Sequence, residues 1–237
     1  MKTLTIIEPY ELINSGTAIS LTTYRTFQYL ISEIYVNDEL NETTFYELSI
    51  EKYADIFEIH VNAAYMTLLG TQDTFKAPII DLPAILFDPK AKISKRKKFP
   101  FFNAIIYSTE DRSMQVRFSP EIVSLYNALG EEGRYYAKYL LEYTREMQSM
   151  NSINLFRLLN KWKKLGKVGF TLEEFKKLMG FEPTEYTLWD NLHSKVIKPA
   201  VRDINKLTDI YVNVVLEKQG RKVVGVGFKM GKNPSLG

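Results

Sequence analysis

Residues 171–207 read TLEEFKKLMGFEPTEYTLWDNLHSKVIKPAVRDINKL, and two helical periods can be traced in them. Thr171 precedes a short apolar-polar run, Leu172 to Met179, with Gly180 directly after it. A threonine side chain can satisfy an open N–H at a helix start, and glycine accepts the left-handed backbone that ends one. A short helix is therefore predicted between them. A longer helix is predicted from about Tyr186 to Leu207. At about 100° per residue, Trp189, Leu192, Val196, Ala200, Ile204 and Leu207 gather on one side as a core face. Thr187, Asn191, Ser194, Lys195, Lys198 and Arg202 gather on the opposite side. Pro199 lacks an N–H and its ring crowds the preceding turn, so a kink or break is expected there.

The flanks complete a unit. Upstream, Ser152 to Leu165 carries Ile153, Phe156, Leu159 and Trp162 on one stripe and ends at Gly166. Downstream, Ile210–Leu216 and Val223–Phe228 read as strands of a hairpin around Lys218-Gln219-Gly220-Arg221. Helix, short helix, longer helix and hairpin make the winged form of the helix-turn-helix.

The same order occurs earlier in the chain. A helix from Leu21 to Tyr35, with Ser20 as its cap, directs Phe27, Leu30, Ile31 and Ile34 to a core. A strand, Phe45–Leu48, leads into Ser49, which can cap a helix ending near Phe57. A third helix runs from about Asn62 toward Thr74, and Pro78 and Pro83 stop helical reading. Phe101–Ser108 and Met114–Phe118 form a hairpin about Thr109–Ser113. Ser119-Pro120-Glu121 opens a helix through Leu129, with proline in its first turn. Tyr135–Met147 is read as a bridging helix. Ser49–Phe57 parallels Thr171–Met179 at a separation of 122 residues, while Tyr65 with Tyr186 and Pro78 with Pro199 are separated by 121. The expected fold is α+β, two tandem winged-helix domains, residues 1–148 and 149–237.

Composition narrows the function. The net charge of +3 hides an asymmetry: residues 149–237 hold 16 Lys/Arg against 8 Asp/Glu, and residues 1–148 hold 15 against 20. In the acidic half, Lys90, Lys92, Lys95, Arg96, Lys97 and Lys98 crowd one segment. Clustered cations on a nearly neutral chain point to a polyanion, with nucleic acid the commonest. No apolar run approaches the ~20 residues that cross a bilayer. The N-terminus meets acid and proline too early for a signal peptide, and the absence of cysteine excludes disulfides and thiolate zinc sites. A cytoplasmic protein with no membrane partner is expected.

The polar face of the Tyr186–Leu207 helix mixes amide, hydroxyl and cationic groups, which read base edges and phosphates. Asparagine suits adenine; lysine and arginine suit guanine or phosphate. Lys218, Arg221 and Lys222 at a hairpin tip are placed as a wing on the DNA backbone. Lys161, Lys163, Lys164 and Lys167, around the end of the preceding helix, could neutralise further phosphates. In the first domain the comparable helix offers Asn62, Tyr65, Thr67, Thr71 and Gln72 but no cation, which predicts auxiliary contact. Lys95, Arg96, Lys97 and Lys98 could hold phosphates there.

At these residues the chain resembles the Rep_3 family of plasmid replication initiators, also called the initiator RepB or iteron-binding Rep family. The resemblance lies in Tyr186, Lys195–Asp209, Gly220-Arg221-Lys222 and Val224–Phe228, with Ser149–Leu159 resembling the approach to the family's second domain. In the first domain it lies in the order of elements and the hairpin leading to Phe118-Ser119, and Glu8–Thr17 departs from the usual opening. The resemblance implies binding to double-stranded DNA at directly repeated origin sites (iterons), followed by origin melting and recruitment of the host replicative helicase and initiator. It also implies self-association through the first domain, with dimers on an inverted-repeat operator.

An enzyme is not expected. His60 and His193, the only histidines, are too far apart in sequence for the metal motif of rolling-circle nucleases, and no phosphate loop is present. Gly225-Val226-Gly227 lies on a strand with no helix after it, outside the dinucleotide-binding context. Glu173-Glu174 reads as a helix-start charge pair. No residue has the setting of a nucleophile or metal ligand, so no cofactor is expected. The rival readings are a winged-helix transcriptional repressor without initiator activity and, more distantly, a protein-docking module.

Overall fold

The computed structural model describes residues 4–16, 19–34, 40–70, 73, 80–108, 110–111 and 113–236. Thr17, Tyr35, Thr71, Gln72, Thr74, Pro78, Thr109 and the side chain of Ile34, all named above, lie outside the described residues.

The first winged helix is built from α2 (Leu21–Ile34), β2 (Tyr46–Leu48), α3 (Ile50–Phe57), α4 (Val61–Leu69), β5 (Phe102–Ser108) and β6 (Ser113–Phe118). Preceding it are β1 (Thr5–Pro9) and α1 (Tyr10–Asn14); inserted before its hairpin are β3 (Ile80–Pro83) and β4 (Arg96–Phe99). α5 (Pro120–Asn127), β7 (Tyr136–Leu140) and α6 (Glu142–Arg145) follow it. The second winged helix comprises α7 (Met150–Trp162), β8 (Lys167–Thr171), α8 (Leu172–Leu178), a long helix, and the hairpin β9 (Ile210–Gln219) and β10 (Lys222–Lys232). The long helix consists of α9 (Trp189–Leu192), a π-helical turn (His193–Ile197) and α10 (Lys198–Leu207). The two three-stranded sheets are antiparallel and share one topology, β2-β6-β5 and β8-β10-β9.

Local chemistry explains most of these boundaries. Ser49 accepts the Lys52 N–H at the start of α3, and Ser149 accepts the Asn151 N–H at the start of α7. Thr171 and Glu174 form a reciprocal capping box, each satisfying an N–H the helix leaves open. Gly220, at φ +61, makes the tight turn of the second hairpin. Gly225 sits where β10 shifts register against β9; a Cβ there would come within 2.9 Å of the Phe170 carbonyl on β8. The Gly-Val-Gly sequence is thus explained by close strand packing.

Three expectations are corrected. Tyr135–Met147 is not a bridging helix. Ala137 and Tyr139 are buried while Tyr136 and Lys138 are exposed, the alternation of a strand, and β7 pairs antiparallel with β1 from Pro9↔Tyr136 to Thr5↔Leu140. Its partner lies at the far N-terminal end, so nothing local announces the pairing. The strands β1, β3, β4 and β8 correct an expectation that left these segments without regular structure. The long helix begins at Trp189 rather than Tyr186: Tyr186 has φ +47 and packs its ring on Phe181 at 4.8 Å. Beyond Ser49–Phe57 and Thr171–Met179 the paired positions diverge, since Tyr65 is inside α4 and Tyr186 lies in a turn.

Pro199 has the effect its chemistry requires. The helix widens just before it, the Lys198 N–H bonding the His193 carbonyl five residues back, and then continues through Leu207. A π turn relieves the crowding a proline ring brings to the previous turn, without ending the helix.

α7 lies at the centre of the molecule, packed against α10, β7 and α1. Ser152 to Asn160 are all buried along it. Among the described residues no helix is long and apolar enough to cross a membrane.

Candidate nucleic-acid interface

The long helix of the second unit presents two distinct faces. Leu192, Val196, Ala200 and Ile204 are buried, with Ile197 added by the extra residue of the π turn. Asn191, Ser194, Lys195, Lys198 and Arg202 are exposed. Thr187 is exposed as well, but in the turn before the helix. Ser194 donates its hydroxyl to the Asp190 carbonyl at 2.6 Å, so toward a ligand it is an acceptor. Arg202 is tied to Asp203 at 3.2 Å, and Asp203 also accepts from Ser152 on α7. Lys195 and Lys198 have no ion-pair partner among the described residues. Two unpaired ammonium groups beside an asparagine amide make a surface whose missing partners are acceptors: phosphate oxygens and base edges.

The hairpin tip has the same character. Lys218, Arg221 and Lys222 are exposed around Gly220, with no ion-pair partner among the described residues.

The cations around the end of α7 divide. Lys164 and Lys167 are exposed. Lys163 reaches Asp209 at 3.4 Å. Lys161, expected on phosphate, is half-buried between the two units: it bonds Asn14 at 2.9 Å and lies 4.9 Å from the Tyr10 ring centre and 5.2 Å from that of Trp162. Burial lowers its pKa, with Glu11 opposing the shift. Its ammonium serves the joint, which corrects its assignment to the DNA surface.

The first unit is different. α4 exposes Asn62 and Thr67, but Tyr65 is only 8% exposed, with its hydroxyl buried and unpartnered among the described residues. Tyr65 therefore belongs to the core, which corrects its place among groove-facing residues. Of the basic segment, Arg96 pairs with Asp81 at 2.9 Å and Lys97 with Glu121 at 2.6 Å. Lys95 and Lys98 are exposed and have no ion-pair partner among the described residues.

The sequence reading missed the joint that sets one unit against the other. Arg157 on α7 and Glu8 on β1 form an ion pair buried on both sides. Arg157 Nε donates to Glu8 Oε2 at 3.0 Å, its Nη2 to Glu8 Oε1 and its Nη1 to Asn154 at 2.8 Å. Tyr24 and Tyr139 also donate to Glu8 Oε2, at 3.0 and 2.7 Å. Burial acts to lower the Arg157 pKa, but Glu8, Tyr24 and Tyr139 together outweigh it and hold the value above the ordinary one. Burial likewise pushes both tyrosines well up, so they stay neutral donors. An arginine inside an apolar helix stripe was the one available signal.

Both histidines have structural partners. His60 caps α4 by accepting the Asn62 N–H, and His193 stacks on Trp189 at 5.3 Å.

Residues 5–160 match the family model described as Initiator Replication protein, WH1, and residues 171–230 match that described as Initiator Rep protein, WH2. Among solved structures, the crystal structure of the Pi initiator protein in complex with iteron DNA is similar over 99% of this chain and 99% of that one, with a TM-score of 0.80 and 19% identity. A structure of domains 2 and 3 of RctB is similar over 97% of this chain and 87% of that one, with a TM-score of 0.44 and 12% identity. No curated protein matches the chain. The likeness to the Pi structure is one of fold, two tandem winged helices.

Proposed function

The chain belongs to the initiator replication protein family, and from that premise we propose that it binds iterons at the origin of a plasmid or similar replicon, helps open the origin and recruits the host replicative helicase and initiator. The observation that carries this reading is the exposed face of Asn191, Lys195 and Lys198 beside the cationic hairpin tip of Lys218, Arg221 and Lys222. The helix enters a major groove, where Asn191 and the two lysines meet base edges and phosphates, and the wing lies on the backbone. Thr187, Ser194, Lys164 and Arg202 add contacts at the rim, Arg202 by exchanging Asp203 for a phosphate.

The division of labour follows residues 149–237 as the principal reader and residues 1–148 as the auxiliary unit. Asn62, Lys95 and Lys98 are that unit's DNA contacts, with Arg96 and Lys97 available where phosphate displaces their carboxylates. Self-association through the first unit places a dimer on an inverted-repeat operator. The protein works in the cytoplasm, where such a replicon is found.

The test is a labelled duplex carrying the tandem repeats next to the protein's own gene. Log affinity should fall linearly with log salt, by about 0.9 for each phosphate contact. Affinity unchanged between low and moderate salt overturns the phosphate model. An origin fragment should replicate only when the protein is supplied; specific binding without replication makes it a repressor.

A further inference from the structure

β3 and β4 are joined by residues 84–95, whose shape is set by their own hydrogen bonds. The Ala84 N–H donates to the Lys95 carbonyl at 2.9 Å and the Asp88 N–H to the Ala84 carbonyl at 3.0 Å. The Ala91 N–H donates to the Asp88 carbonyl and the Lys95 N–H to the Lys92 carbonyl, both at 2.9 Å. Asp88, the acidic residue of this connection, is occupied by the Lys90 N–H at 2.9 Å. Phe87 anchors the base, edge-on to Phe99 with ring centres 5.4 Å apart. The connection is a built knuckle.

Ile93 stands on this knuckle at 85% exposure, more than any other large hydrophobic residue described as exposed. Lys90, Lys92 and Lys95 flank it, all exposed and without ion-pair partners among the described residues. Arg96 and Lys97, which follow directly, are paired. Among the described residues, three of the four free cations of this basic segment thus surround the isoleucine, the fourth being Lys98 on β4. Leu86 and Arg96 at the knuckle's base line a cleft of about 690 Å³ whose other wall includes Phe170, Glu174 and Lys177 of the second unit. The knuckle therefore stands beside the helix-turn-helix.

We propose that Ile93 is an apolar wedge that enters the minor groove and partly unstacks a base step of the bound duplex, with Lys90, Lys92 and Lys95 on the neighbouring phosphates. A single branched apolar side chain between cations fits this task. Wedging proteins insert one such residue between base pairs and kink the duplex, while basic side chains hold its backbone. The alternatives need more apolar surface. A protein-docking core is depleted of lysine, and a surface helix binding lipid buries a whole apolar face. This proposal rests on the initiator reading and adds to it a residue that distorts DNA.

The experiment uses the full chain and a repeat duplex carrying 2-aminopurine at successive positions beside the repeat, with fluorescence reporting unstacking and energy transfer between the duplex ends reporting bending. Wild type should brighten the probe at one position. Ile93→Ala should lose most of that signal and of the bend while its Kd changes less than about tenfold, and Ile93→Leu should restore both. Circular dichroism melts of the variants should overlay, since this side chain is in solvent. An unchanged signal in Ile93→Ala, or no unstacking by wild type bound to the duplex, overturns the wedge. If Ile93→Ala instead loses binding to phosphatidylglycerol vesicles with DNA distortion intact, the knuckle is a membrane contact and the wedge is wrong. Failure of wild type to bind any repeat duplex overturns the initiator reading, and the wedge with it.

Discussion

In the second winged helix, Lys195, Lys198, Lys218, Arg221 and Lys222 stand in solvent without ion-pair partners among the described residues. In the first, α4 exposes Asn62 and Thr67 but no cation, and Arg96 and Lys97 are bonded to Asp81 and Glu121. The sheets have the same strand order, so the contrast does not come from topology. It comes from where the free cations among the described residues stand: on the long helix and hairpin tip in the second unit, but in the first on the β3–β4 connection and at Lys98, beside the paired Arg96 and Lys97. A paired cation must give up that partner before it meets phosphate, and a free one need not. Under the proposed division of labour, one fold serves as reader and as support, set by where its free cations stand.

Tests of this contrast begin at the joint. Arg157→Met should leave Glu8 buried and unpaired, a loss of about 3–5 kcal/mol. Urea unfolding would measure it, and Glu8→Met added to Arg157→Met should recover most of the loss. If the single variant is as stable as wild type, the two units are not held together through this pair. Next, Lys195→Ala with Lys198→Ala should raise Kd for the repeat duplex about 10- to 100-fold, a cost of roughly 1–3 kcal/mol. Specific binding that survives both changes removes α10 and the turn before it from the groove. Lys218→Ala, Arg221→Ala and Lys222→Ala together should lower the salt slope by about 0.9 per phosphate contact, with little change in sequence preference.

Smaller effects probe the frame. Thr171→Ala removes the cap of α8 and should cost about 1 kcal/mol in thermal or urea unfolding. The Glu174 carboxyl is held below the usual range by the Thr171 N–H first and its hydroxyl second. A depressed folded-state pKa contributes stability above the unfolded value near ~4.3, lost as the pH falls through the folded value. The acid-side drop in melting temperature should therefore be shallower in Thr171→Ala. The smallest expected change is Asn62→Ala with Thr67→Ala, about 0.5 kcal/mol or less in DNA binding. A large loss there would erase the distinction between reader and support.

Much of the frame was legible. The caps at Ser49 and Thr171, the apolar stripe of α7 and the alternating faces of the long helix depend on residues a turn or two apart. The repeat also carries β8: the offset that aligns Ser49 with Thr171 places the counterpart of the Phe45–Leu48 strand on Lys167–Phe170, where β8 lies. Tyr135–Met147 reads as a helix because a strand with two large aromatic residues, Tyr136 and Tyr139, and a short helix behind it pass for a helical pattern when the pairing partner is about 130 residues away.

By itself, then, the sequence determined where the helices capped by Ser49 and Thr171 begin and which face of the long helix is polar, because hydrogen-bond capping and helical periodicity are local. Only the tertiary structure decided which of the many cations remain free. Lys161 was taken into the joint by Asn14, Tyr10 and Trp162, while Lys195 and Lys198 were left open. It also decided that Glu8 and Arg157, 149 residues apart, fix one unit against the other. Charge neutralisation depends on distance in space, and distance along the chain does not predict it.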